Sequence, residues 1–401
     1  MRPAFDADAS VACNAGMPVG WIQSVACVTT TRAEYGIYRP LLHALHRAGY
    51  RCTRLVGGTH LRTEFGRTID DVRCDDVGPI VEVDFLAERD DSLGVTRSAG
   101  DALAAFGRSL HAAAPDLVFV LGDRYEMLSA AIAALLTRVP IAHLHGGDRT
   151  AGAYDDAMRH AISKLAAWHF PALPEHARRL EAIGEPSERI TVCGSLALDG
   201  LHAFEPLPRR GLGDHLGFEL SDSYAVVCVH PETLAGAEPA ELFRHVAAGL
   251  DAFDGPIVVI GSNADEGHRG LADAVRAWSE RRPQTCRVAS LPQRVYWSLL
   301  AHAAVLVGNS SAGVIESASL RLPTVNVGRR QAGRTRAGNV IDVAWDAAAI
   351  SDAIHTATAP GFRAGLAGLV NPWGDGRAAE RILATLATLP PREVLLDKAG
   401  A

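Results

Sequence analysis

Along most of its length the chain repeats one pattern: a short unbroken apolar run, a turn of small and polar residues, then a stretch with apolar residues at helical spacing. Runs at 24–30, 51–56, 116–121 and 139–144 read as buried strands, and 38–48, 95–113 and 127–136 as helices. Helices at 155–167 and 174–183 and a strand at 189–193 complete this half. The segment 204–223 breaks the rhythm with Pro206, Pro208, Gly211, Gly213 and Gly217, which puts a boundary there. The alternation then resumes, with strands predicted at 225–229, 256–260, 287–289, 303–307 and 324–327. Such βαβα order marks a doubly wound parallel sheet, so the expected fold class is α/β, with two Rossmann-like domains facing a central cleft. The expected division is a loose tail at 1–20, a first domain at 21–203, a linker region at 204–223, a second domain at 224–373 and a last helix within 374–390.

In sheets of this kind ligands sit beyond the carboxyl ends of the strands, so the turns that follow strands carry the functional signal. The most telling is 307–316, Val-Gly-Asn-Ser-Ser-Ala-Gly-Val-Ile-Glu, where a strand gives way to small residues and then to a helix expected over 312–320. Backbone N–H groups at a helix start lack helical partners and attract anions. Ser310 and Ser311 add hydroxyl donors, and Glu316 offers a carboxylate to a ribose diol. Phosphate and sugar together suggest a nucleotide, although Asn and Ser are also ordinary helix caps. This stretch alone leaves the two readings level.

Other turns collect polar residues too. Thr30-Thr31-Arg32 follows the first strand, Gly122-Asp123-Arg124-Tyr125-Glu126 a later one, and His143-Leu144-His145-Gly146-Gly147-Asp148 the next. Strand alternation predicts His143 and His145 on one face. Helical spacing sets Asp155 toward Arg159 and Asp156 toward His160. The second half supplies Val229-His230-Pro231-Glu232-Thr233, Gly261-Ser262-Asn263-Ala264-Asp265, and 326–334 with Arg329, Arg330, Gln331 and Arg334. A single His or Asp is more often a satisfied structural residue than a functional one. Polar turns after strand upon strand are harder to explain that way.

Composition narrows the field. The 401 residues are 48% apolar and 21% charged with 38 glycines, which describes a globular chain of two or three domains. A net charge of −7, spread without blocks, argues against nucleic acid or an anionic membrane as the main partner. The seven cysteines are scattered with no Cys-x-x-Cys pair, which disfavours disulfide scaffolds and zinc knuckles and fits a reducing cytoplasm. The first twenty residues carry Asp6, Asp8, Asn14 and two prolines where a signal peptide would need an apolar core, and Met17 is an alternative start.

Taken together, these motifs resemble the UDP-N-acetylglucosamine 2-epimerases, and within them the hydrolysing branch that releases N-acetylmannosamine for sialic-acid synthesis. The carriers are Thr31-Arg32-Ala33-Glu34-Tyr35-Gly36, Gly122-Asp123-Arg124-Tyr125-Glu126, His143-Leu144-His145-Gly146-Gly147, 155–164 (DDAMRHAISK), 308–316, Arg330-Gln331-Ala332-Gly333-Arg334 and Gly374-Asp375-Gly376. The resemblance spans about 25–386 and implies a GT-B-like fold whose last helix crosses back to the first domain. It implies loss of the C2 proton and of UDP to give a 2-acetamidoglycal, followed by addition of water. The resemblance gives acid and base roles to Asp123 and to one of Asp155 or Asp156, and makes His230 a stabiliser or proton donor for the departing phosphate. His145 is a further candidate acid. Arg32, Ser310, Ser311 and Arg330 would hold the diphosphate, Glu316 the ribose, and backbone near Ser290 and Leu291 the uracil. It implies no metal, no nicotinamide or other cofactor, a nucleotide-sugar substrate and a homodimer.

The chain departs from the family at Thr30, where relatives have glycine, and a turn with φ > 0 there would cost threonine about 1–3 kcal/mol. Thr30→Gly is therefore expected to leave activity equal or better. His145 stands where some relatives carry glutamate. A GT-B glycosyltransferase, a non-hydrolysing 2-epimerase, a metal-dependent hydrolase built on His143, His145 and Asp148, and a silent nucleotide-sugar sensor are the competing classes. The identity of the N-acetyl sugar, and UDP against GDP, are left open by these residues.

Overall fold

The computed structural model describes residues 20–151, 154–201, 204–232, 236–262 and 265–398. Nearly all of the expected tail, including Met17, and Thr233, Asn263 and Ala264 lie outside the described residues. Strands β1 (Ser24–Thr29), β2 (Arg51–Gly57), β3 (Ile80–Val83), β4 (Leu117–Leu121), β5 (Ile141–Leu144) and β6 (Trp168–Phe170) form one parallel sheet in the order β3-β2-β1-β4-β5-β6. Strands β7 (Ala225–Cys228), β8 (Ile257–Ile260), β9 (Thr285–Val288), β10 (Val305–Gly308), β11 (Thr324–Val327) and β12 (Val340–Val343) form the other, in the order β12-β11-β10-β7-β8-β9. Counted within each half, both sheets have the same order, and its direction reverses between the first and fourth strands. That reversal is where doubly wound sheets open a ligand crevice. Two Rossmann-like domains thus face each other in the GT-B manner.

Because both faces of each sheet are covered at its centre, successive residues of the central strands are mostly apolar and feed two different cores. Val25 and Cys27 pack into one layer with Tyr38, Leu41 and Leu45 of the Arg32–Arg47 helix, while Ala26 and Val28 pack into the other with Phe106, Met127 and Ala130. In the second sheet Val227 meets Phe243 and Ile350, and Val226 meets Leu299 and Leu300. The Ala378–Leu386 helix follows the second domain in the chain, yet Ala378, Ala379, Ile382 and Leu386 lie in the same core as Val25 and Cys27.

Several elements differ from expectation. β3, β6 and β12 were not predicted, and 189–193 is no strand: it makes one isolated bridge, His169 to Ile190. Arg189 instead donates to the carbonyls of Val394 and Asp397 at 2.9 and 2.8 Å, which anchors the short Arg392–Leu396 helix and the residue that follows it. The helix expected over 312–320 is only Ala312–Ile315. Among the described residues no helix is long and apolar enough to cross a membrane.

Candidate functional site

The crevice between β7 and β10 is shaped by one glycine. Gly308 has φ +139°, and a Cβ there would stand 2.0 Å from the Cys228 carbonyl oxygen, so only glycine lets β10 end against β7. The following residue, Asn309, is fully buried and grips the neighbouring turn: Oδ1 accepts from the His230 backbone N–H at 2.7 Å and Nδ2 donates to the His230 carbonyl at 2.9 Å. Its own carbonyl accepts from Gln331 Nε2 at 2.9 Å and Arg330 Nη1 at 3.3 Å. Asn309 therefore ties three post-strand turns together and is not a helix cap. Ser311 is the residue before the short helix, but its side chain makes no capping hydrogen bond. Four helical residues carry little dipole, so what this turn offers an anion is chiefly nearby N–H groups, hydroxyls and Arg330.

A cavity of about 160 Å³ opens beside this turn and is lined by Arg32, His230, Ser290, Ser310, Ser311 and Glu316. Gln293, Tyr296 and Trp297 close it from the Gln293–His302 helix. Leu291 instead turns its side chain into the core with Val295 and Leu299. Arg32 also lies 3.7 Å from Asp71. Glu316 follows the last helical residue rather than sitting a turn inside a longer helix. Its Oε1 accepts from Trp297 Nε1 at 2.7 Å. Burial pushes the Glu316 carboxyl up to about 7, with the indole hydrogen bond acting the other way.

Across the cleft stands a second, more strongly charged cluster. Asp123 follows β4, and its Oδ2 accepts from Thr150 Oγ1 at 2.9 Å and from the buried Arg159 guanidinium. Burial works to raise the Asp123 carboxyl, but Arg159, Arg334 and Thr150 hold it below the usual range. Asp155, the first residue of the Asp155–Leu165 helix, goes the other way: burial, then Asp123 and Asp265, push it up to about 7 against Arg330 and Arg124. Asp156 is occupied differently, since its Oδ1 accepts from the Thr150 backbone N–H at 3.1 Å.

Strand alternation does not carry from His143, which lies in β5, to His145. His145 has φ +62° and has left the strand. Its backbone N–H donates to Phe170 at 3.0 Å, its carbonyl accepts from Arg159 at 3.0 Å, and its buried Nε2 has no hydrogen-bond partner among the described residues. His143 stays in the sheet with both ring nitrogens engaged, by Ser163 at 3.0 Å and the Gly122 carbonyl at 2.8 Å. Burial lowers His145 to about 4 although Asp148 pulls it up, so its ring is neutral. Asp148 itself is held at about 2: burial opposes this, but Arg334 of the second domain, 2.8 Å away, and Arg159 outweigh it.

Arg124, beside Asp123, links the clusters. It donates to Asp265 of the second domain at 2.7 Å and to Glu126 at 2.8 Å, with Glu34 at 3.8 Å. His230 faces Arg330, Asp265 and Arg124, and burial followed by Arg330 lowers it to about 3. Arg330 is oriented by Glu232, whose Oε1 accepts the Arg329 and Arg330 backbone N–H groups at 2.9 and 3.0 Å. Thr30 overturns its expectation. Its φ is not positive, and its N–H and Oγ1 both donate to Glu34, at 2.7 and 3.0 Å, so it holds the Glu34 carboxylate beside the Thr31 cap rather than straining the turn.

Sequence reasoning gave no role to Thr150, Arg159, Arg334, Asp265 or Trp297. Arg159 was the most legible of them, since it lies four residues after Asp155 on the same helix. Trp297 lay in a stretch that reads only as an amphipathic helix. Among the described residues no group of three or more His, Cys, Asp or Glu is placed to hold a metal ion.

Two doubly wound sheets meeting across a polar cleft define a class, the GT-B-like α/β proteins, and solved structures of that shape match nearly the whole chain. A Neisseria meningitidis UDP-GlcNAc 2-epimerase solved with UDP-GlcNAc superposes with TM-score 0.73 at 17% identity, over 91% of this chain and 100% of that one. A Methanocaldococcus jannaschii UDP-GlcNAc 2-epimerase, solved with UDP-GlcNAc and UDP, does so with TM-score 0.74 at 15% identity, over 91% and 99%. At that identity these speak for the fold alone. The UDP-N-acetylglucosamine 2-epimerase family matches residues 43–387, and the chain belongs to it. A Legionella pneumophila UDP-N,N'-diacetylbacillosamine 2-epimerase (hydrolyzing) is 33% identical over 95% of this chain and 100% of its own length. A Campylobacter jejuni GDP/UDP-N,N'-diacetylbacillosamine 2-epimerase (hydrolyzing) is 31% identical over 80% and 84%.

Proposed function

We propose that this protein is a hydrolysing 2-epimerase: it takes a nucleotide-linked N-acetyl sugar and releases the free sugar inverted at C2, together with the nucleoside diphosphate. The observation that carries the reading is the pair of carboxylates in one cleft with opposite proton demands, Asp123 ionised and Asp155 raised to about 7. Epimerisation needs a group that arrives empty on one side of C2 and a group that arrives loaded on the other, and environments that push two carboxyls apart supply both. Asp123 takes the C2 proton while the C1–O bond breaks and its electron pair leaves with the diphosphate. The C2–H electrons form the C1=C2 bond of a 2-acetamidoglycal. Asp155 then delivers its proton to C2 from the opposite face as water adds to C1, the proton lost by that water returns to the Asp155 carboxylate, and Asp123 releases the proton taken from C2 to solvent. Arg32, Ser310, Ser311 and Arg330 bind the leaving diphosphate, with neutral His230 beside it, and Glu316 takes the ribose.

The N,N'-diacetylbacillosamine named for the Legionella relative is the first candidate sugar, ahead of N-acetylglucosamine. The reading also has the protein at work in a reducing cytoplasm, as a homodimer. The free thiols of Cys27, Cys52, Cys74, Cys193, Cys228 and Cys286 support the former. The test is turnover in D₂O with UDP- and GDP-linked N-acetyl sugars, the products read by mass spectrometry and NMR. Free sugar with one deuterium at C2 and inverted configuration, matched one for one by nucleoside diphosphate, is expected. Unlabelled sugar of unchanged configuration would indicate a transferase acting on water, and labelled sugar still bound to nucleotide a non-hydrolysing epimerase. No product from any member of the panel would leave a sensor.

A further inference from the structure

Glu316 is half-buried; among the described residues its carboxylate has no cation in contact, and its one hydrogen bond comes from Trp297 Nε1. The Trp297 ring has little freedom. It meets Phe204 edge to face, centroids 5.4 Å apart at 73°, and a Cβ on Gly200 would stand 2.9 Å from its Cη2. Gly200 and Phe204 lie where the chain passes from the first sheet to the second, so the indole is wedged between that passage and the nucleotide cavity. A carboxylate with one oxygen held by a fixed donor cannot swing, and its other oxygen stays turned to what enters the cavity.

We propose that Trp297 is a positioning residue for nucleotide recognition: its indole N–H fixes the Glu316 carboxylate so that the remaining acceptor sites meet the ribose diol. This rests on the reading of Glu316 as the ribose ligand. Packing alone would make the indole a wedge whose removal loosens every ligand alike. Orientation of Glu316 makes its N–H matter only to ligands that carry ribose hydroxyls.

The test compares UDP with 2′,3′-dideoxyuridine diphosphate by calorimetry on the full chain. Trp297→Phe keeps a ring against Phe204 and Gly200 but has no donor. It is expected to bind UDP about tenfold more weakly, the scale of one hydrogen bond to a charged group, and the dideoxy analogue within about twofold of wild type. Equal loss for both ligands, or no loss for UDP, overturns the proposal. Glu316→Gln separates the two levels: a ribose-selective loss there upholds the ribose ligand whatever Trp297→Phe does, and no such loss fails the underlying reading. A second measurement does not depend on the Trp297 variant folding. The chain has six tryptophans, and one indole N–H resonance is expected far downfield and displaced in Glu316→Gln. Six unmoved resonances overturn the hydrogen bond's role.

Discussion

Adjacent aspartates on one helical turn illustrate what single residues reveal and withhold. Asp155 and Asp156 have the same chemistry and neighbouring positions, so spacing could not say which faces the cleft. The deciding partner, the Thr150 backbone N–H, lies in a loop of no regular pattern. With Asp155 as the loaded acid, kcat should fall as pH rises through about 7, where that proton is lost. Its stability effect has a definite sign: the folded value lies above the unfolded one near 3.9, so the contribution is present below about pH 4 and lost by about pH 7. Asp155→Asn should therefore be inactive yet more stable than wild type at pH 8, with the gain vanishing near pH 4, as read from urea midpoints. Asp123→Asn should abolish turnover while UDP affinity, measured by calorimetry, stays nearly intact. A tenth of wild-type kcat surviving would remove Asp123 from the chemistry. Thr30→Gly is now expected to reduce activity, because Glu34 loses the Oγ1 donor.

At the scale of elements, the central strands were legible and the margins were not. β3, β6 and β12 are all edge strands, three or four residues long in β6 and its two counterparts, and β3 and β12 are half exposed. Half-covered edges need no continuous apolar run, which is the signal by which buried parallel strands are recognised. The opposite error at 189–193 has the same root, since an extended segment can bury apolar residues such as Cys193 without pairing along a ladder. The β10 turn was legible because its composition is unusual, but its mechanics were not: the clash of a Cβ with Cys228 is a long-range fact. Gly308→Ala should displace the turn and cost about 1–3 kcal/mol or more in stability, with UDP binding lost in calorimetry.

For the whole molecule, the twofold use of one strand order sets two switch points against each other, and charged pairs span the gap. Arg124 reaches Asp265, and Arg334 reaches Asp148. These bridges join residues more than a hundred positions apart, so no local pattern could announce them. The Ala378–Leu386 helix is a further tie, since it lends its apolar side to the core of the first sheet. Ile382→Ala should cost about 2–5 kcal/mol for the cavity left there, measurable by denaturant unfolding. This return has a consequence for how the chain is made. On the ribosome, β1 and its partners are made well before the helix that covers one of their faces. The first sheet must wait, partly uncovered, while the second can be completed, so of the two domains the one translated earlier is finished later.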